Sequence, residues 1–209
     1  MGGRGSISKF NNGNSGNTPR PQSLDDYLGP KGDPKSLDDA MTAANPHWLE
    51  SATNKDGLYT HNCQRCIWAV ELMRRGYDVE AMPRTADNTY AILDPALPHS
   101  FVNVGDPPLQ FSAAIGNIWY KAKATDVKAE ILKHPDGSRG ALVMHGYKKG
   151  HVCNWEIVKG KVVIYDGQVG KKHTLTDLMK RGWSSFKVAR MDNVAVTDLA
   201  KDFVKRRQS

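Results

Sequence analysis

Two β-rich runs around a Lys159-Gly160 step restrict this chain's fold more than any other feature. His151-Val152-Cys153-Asn154-Trp155-Glu156-Ile157-Val158 precedes the step, and Lys161-Val162-Val163-Ile164-Tyr165-Asp166 follows it. β-branched and aromatic runs on either side of a Gly-containing pair specify an antiparallel hairpin with a two-residue turn. The turn fixes the pairing, because a slip of one residue would invert every side chain. In that register His151 faces position 168, so Asp166 and Gln168 lie beside it across the ladder. An imidazole next to a carboxylate has its tautomer fixed and its charged form stabilised.

The second constraint lies upstream, in the stretch from His61 to Gly76. Asn62 suits an N-cap, which makes Cys63 the first residue inside a helix. Cys66, Ile67, Val70 and Met73 recur at helical spacing and form one apolar face. Arg74 and Arg75 fall in the last turn, and Gly76 suits the left-handed stop after it. The result is a thiol at the positive end of a short helix, where a thiolate nucleophile is favoured. A thiol, an imidazole and a carboxylate form the group used in acyl transfer. The thiolate attacks a carbonyl or carboxamide, the imidazole protonates the leaving group, and water then hydrolyses the thioester. Asn62 and Gln168 are the candidates for an orienting or oxyanion-binding role.

Other readings of the same residues compete with this one. Three cysteines is an odd count, and no secretory leader is evident, so free thiols are expected rather than a disulfide framework. Cys63, Cys66, His151 and Cys153 are a rival set of metal ligands. A Cys-x-x-Cys inside a helix without a knuckle glycine argues against that set, and no metal or cofactor is expected. Cys153 alternates with strand neighbours and reads as core, as do Trp68 and Trp155. His145 is a decoy for the base, and His61 reads as surface. His99, His134 and His173 sit in polar or turn contexts and receive no role.

Taken in order, these blocks carry a resemblance. Asn62-Cys63-Gln64-Arg65-Cys66 runs into Arg74-Arg75-Gly76-Tyr77-Asp78-Val79. Lys149-Gly150-His151-Val152 and Tyr165-Asp166-Gly167-Gln168 follow. Over roughly residues 58–190 the chain resembles the papain-fold toxin domain of the glutamine-deamidase type. That domain occurs at the ends of bacterial polymorphic toxins and in phage head-associated proteins. The resemblance implies a papain-like cysteine hydrolase fold with nucleophile Cys63, base His151 and orienting Asp166. It implies deamidation of a protein glutamine, or proteolysis. It also implies a target protein as substrate, with an immunity protein or virion proteins as further partners. Papain-type proteases place the nucleophile second in Cys-x-x-Cys, followed by Trp-Ala. Cys66-Ile67-Trp68-Ala69 is close to that with one extra residue, so Cys66 stands as the alternative nucleophile. Cys63 is preferred because it follows the cap directly. An inactive papain-like scaffold or virion component is the alternative function.

The rest of the chain frames this domain. Residues 1–45 are rich in Gly, Asn and Pro and read as a flexible tail or docking segment, with the folded domain over 46–209. Apolar residues make up 39%, consistent with part of the chain lying outside a core. Net charge is +7. Residues 1–60 hold six Lys/Arg against seven Asp/Glu, and residues 61–209 hold 23 against 15. The cations are scattered without a nucleic-acid motif, so a solubilising surface is preferred to nucleic-acid binding. No apolar run is long enough for a membrane span, and the expected location is the cytoplasm of a producing or target bacterium, or a virion.

Around the hairpin, strands are expected over 77–81, 140–145 and 186–191, and helices over 125–132 and 176–180. Residues 84–110 read as a loop region on the substrate side. Thr197 is expected to cap a last helix running to about Arg206, with Lys205-Arg206-Arg207 as a solvated end. The fold class is α+β, with the early helix packed on a mostly antiparallel sheet.

Overall fold

A computed structural model describes residues 23–84, 120–122, 126–146, 149–193, 195–196 and 198–207. The expected loop region at 84–110 lies outside these apart from Arg84. Three short helices come first: α1 (Leu24–Leu28), α2 (Leu37–Ala43) and α3 (Trp48–Asn54). The Ser23 and Ser36 hydroxyls accept from the backbone N–H groups of Asp26 and Asp39, and these bonds start α1 and α2. The site helix α4 spans Cys63–Arg74 and leads to β1 (Val79–Ala81). Then come β2 (Tyr120–Ala122), α5 (Val127–Ile131), β3 (Arg139–Gly146), β4 (Lys149–Val158) and β5 (Lys161–Asp166). The chain continues through β6 (Lys171–His173), α6 (Leu175–Lys180), β7 (Trp183–Arg190), a 3-10 turn (Asp198–Asp202) and β8 (Val204–Arg206).

Among the described residues, six strands form one antiparallel sheet in the order β2-β7-β3-β4-β5-β6. The β4–β5 register runs from Val158↔Lys161 to Asn154↔Tyr165, as the two-residue turn requires. Lys159 (φ 51°) and Gly160 (φ 70°) both take the left-handed conformation of such a turn. Alternation along the strands divides the core in two. Ala141, Val143, Val152, Tyr165 and Ala189 pack with α4, where Cys66, Ile67, Val70 and Met73 are buried. Leu142, Met144, Cys153, Trp155, Ile164 and Phe186 pack on the other face with Val127 and Ile131 of α5 and Leu178 of α6.

Charged groups also fix α4 to the sheet. Glu71, 2% exposed, accepts from Arg75 Nε at 2.7 Å and from Arg139 of β3 at 3.0 and 3.2 Å. Arg74 Nη2 donates to Glu156 of β4 at 2.7 Å, and Asn154 Nδ2 donates to the Ile67 carbonyl at 3.1 Å.

The structure departs from expectation at both ends. The division at residue 45/46 falls inside the packed body, because Leu28, Ala40, Met41 and Ala44 are buried in the same cluster as α4. Their few apolar side chains are spread among Gly, Pro and Asp, which hides them in composition. The expected helix through Arg206 is instead one 3-10 turn followed by β8, antiparallel to β1 with Ala81↔Val204 and Val79↔Arg206 paired. Phe203 and Val204 are adjacent and both buried, and β1 requires backbone partners that β8 supplies. Lys205 is therefore a strand residue with Nζ 3.0 Å from Glu80, not a solvated end. Smaller differences are β6, which was not anticipated, β4 beginning at Lys149, and β7 beginning at Trp183.

Candidate active site

Cys63 is the first residue of α4, as expected, but Asn62 does not cap the helix with its side chain. Asn62 is fully buried instead. Its Nδ2 donates to the Met82 carbonyl at 3.1 Å and to Asn45 Oδ1 at 3.3 Å. Its Oδ1 accepts from Asn45 Nδ2 at 3.2 Å and from the Cys66 thiol at 3.3 Å. A buried amide in a crossing of loops must find partners inside, and these outcompete the cap. Both Nδ2 hydrogens are thus engaged away from Cys63.

The two cysteines of α4 lie in different surroundings. Cys63 is half-buried, and its side chain packs on the α4 side of the core. Cys66, 1% exposed, points inward, and burial holds its thiol well above the usual range.

The hairpin brings the other two groups together. His151 Nε2 lies 2.7 Å from Asp166 Oδ2. Burial works against a charged imidazole, but bonds to Asp166, Cys153 and Cys63 outweigh it and raise the His151 pKa. Burial likewise opposes the Asp166 carboxylate. Its bonds to His151 and His173 and the Gln168 N–H at 2.9 Å outweigh that and hold it well below the carboxylate range. The Cys63 thiol also raises the His151 pKa, which places it near the imidazole that Asp166 holds. The indole of Trp183 stacks on the imidazole, with centroids 6.1 Å apart.

Gln168 is buried, and its side-chain Nε2 has no hydrogen-bond partner among the described residues. Its carbonyl accepts from Asn45 Nδ2 at 3.0 Å. Gly167 permits this turn to approach α4, since a Cβ there would meet Val70 Cγ2 at 2.7 Å. Asn45 also donates to the Tyr59 carbonyl at 2.9 Å. One amide therefore ties together the loop before α4, the start of α4 and the turn that carries Asp166.

Cys153 is core, as expected, with an additional property. Burial and the Asp166 charge push its thiol up to about 12, and nearby His151 works against them. Ligand atoms of His151, Cys153 and Asp166 all lie within 4.8 Å of one another. Neither Cys63 nor Cys66 joins that group, so the rival set of four metal ligands weighed from the sequence is not assembled among the described residues.

Three contacts were not anticipated: His173, whose Nε2 lies 3.8 Å from Asp166 Oδ2, Asn45 and Trp183. The nearness of Cys153 to His151 follows from the strand, since residues two apart share a face. Of the remaining histidines, His61 is exposed, His134 stacks on Trp155, and His145 pairs with Gly150 beside the site. His99 lies outside the described residues.

The profile of one family, described as papain fold toxin 1, glutamine deamidase, matches residues 61–171, just over half of the chain. The match begins two residues before Cys63 and ends five residues beyond Asp166. No curated protein matches the sequence.

Proposed function

The chain belongs to the papain fold toxin 1, glutamine deamidase family, and on that premise we propose that Cys63 attacks the side-chain carboxamide of a glutamine in a target protein. The observation that carries this reading is the His151–Asp166 pair at 2.7 Å with the Cys63 thiol near the same imidazole. Asp166 fixes the ring through Nε2 and supports the imidazolium, so the proton withdrawn from Cys63 has a stable acceptor. The positive end of α4 and the imidazolium both favour negative charge on the sulfur. Attack on the carbonyl carbon forms a tetrahedral oxyanion at the helix start. The Arg65 and Cys66 N–H groups donate to the Asn62 carbonyl, which leaves the Cys63 and Gln64 N–H groups of the first turn to serve as donors there.

His151 then protonates the departing ammonia, which leaves a thioester. With ammonia gone, the neutral imidazole takes a proton from water. Hydroxide attacks the acyl carbon and glutamate is released with the thiol restored. Cys66 is unsuited to this step, because its thiol is buried and spent on Asn62. Proteolysis shares the acyl-thioenzyme step, so mass analysis of target proteins separates the two. Deamidation replaces an amide NH2 by OH with the chain intact, and proteolysis cuts the chain. Deamidation that persists in Cys63→Ala would overturn the proposal. An effector of this kind has its target protein as substrate, and a protein that occludes Cys63 would serve as its immunity partner.

A further inference from the structure

Two of the three cysteines, Cys63 and Cys153, lie near one imidazole and both raise its pKa. The mechanism above uses a single thiol. Cys153 is the second, completely buried and placed against a charged pair rather than among apolar groups alone. It follows His151 by two residues on β4, and Asp166 ends β5, so two adjacent strands hold all three side chains. The ladder pairs Val152 with Val143 on one side and Asn154 with Tyr165 on the other, which holds this stretch of β4 in place. Imidazole nitrogen, thiolate sulfur and carboxylate oxygen within 4.8 Å of one another are a donor set of the kind that Zn2+ prefers.

We infer that this cluster is an inhibitory Zn2+ site, with His151, Cys153 and Asp166 as three ligands and water as the fourth. Binding releases the Cys153 thiol proton to solvent and changes no oxidation state. It occupies the imidazole and the carboxylate that the chemistry needs and places the ion beside Cys63, so the zinc-bound protein is silent. The silencing rests on the proposed roles of Cys63 and His151, whereas the binding itself does not.

The test is equilibrium dialysis of the full chain against Zn2+, with metal counted per chain and Co2+ used as a spectroscopic stand-in. One ion per chain is expected, removable by a chelator with the fold retained. The Co2+ form should show thiolate-to-metal charge-transfer absorption. Bound Zn2+ should protect Cys63 from iodoacetamide. Replacing Cys153→Ser should weaken Zn2+ binding by about tenfold or more, in line with losing a coordination partner. If Cys153→Ser fails to fold, the charge-transfer band of the wild-type chain decides alone.

Absence of saturable binding, absence of that band, or equal affinity in Cys153→Ser would overturn the site. An ion whose removal unfolds the chain would overturn the inhibitory role. Zinc binding without deamidation by the metal-free protein would sink the catalytic reading but not the site. Deamidation without zinc binding would do the reverse.

Discussion

Asp166 concentrates most of the local chemistry. It accepts from His151, lies beside His173 and accepts from the Gln168 backbone. Its lowered pKa means that its share of stability is present above about pH 4 and is lost as pH falls. The raised pKa of His151 means that its share is fully present below about pH 6.5 and is lost as pH rises beyond that. The gap in Tm between the wild type and Asp166→Asn should therefore be widest from about pH 4 to 6.5 and shrink on both sides. A gap that does not change with pH would contradict an ionised pair. Asp166 was legible from the turn at 159–160 alone. His173 was not, because Lys171-Lys172-His173 is a polar run of three residues that carries no strand pattern. Asn62 was legible as the helix start but not as a buried amide, since its partners Asn45 and Met82 come from distant loops.

At the scale of elements, α4 carries the proposed nucleophile, and its seat on the sheet determines whether Cys63 meets His151. Glu71 is buried between Arg75 and Arg139. Substituting Glu71→Ala leaves two guanidinium groups without their carboxylate and should cost about 3–5 kcal/mol in urea unfolding. A loss below about 1 kcal/mol would mean the network contributes no more than a surface pair does. Asn45 acts on the other end of α4. The Asn45→Ala protein should lose about 1–3 kcal/mol, because the Asn62 amide and the Gln168 carbonyl lose partners. It should also label more slowly at Cys63, as the helix start and the Asp166 turn come apart. The hairpin that opposes α4 was legible because β-branched runs and a Gly-containing turn agree on one register. β8 was not, since Phe203 and Val204 follow Leu199 at a spacing that fits a helix equally well.

For the molecule as a whole, the packed body includes the segment that composition assigns to a tail. Leu28 and Met41 are buried in the same core cluster as α4, and Tyr27 donates to the Val204 carbonyl at 2.9 Å. A chain that starts at residue 46 would expose these seats. At about 1.5–3 kcal/mol for each large apolar side chain, Leu28 and Met41 together contribute about 3–6 kcal/mol. That is a large share of the stability of an ordinary domain, so the truncated chain should be insoluble or melt far below the full one. A truncated chain with unchanged Tm would restore the boundary at 45/46. No helix among the described residues is long and apolar enough to cross a membrane.

The central claim is that Cys63, not Cys66, is the nucleophile. The direct measurement is peptide mapping after brief treatment of the folded, metal-free protein with iodoacetamide at neutral pH. One adduct is expected, on Cys63, absent in Cys63→Ala and retained in Cys66→Ala. An adduct on Cys66, or labelling that survives Cys63→Ala unchanged, would contradict it.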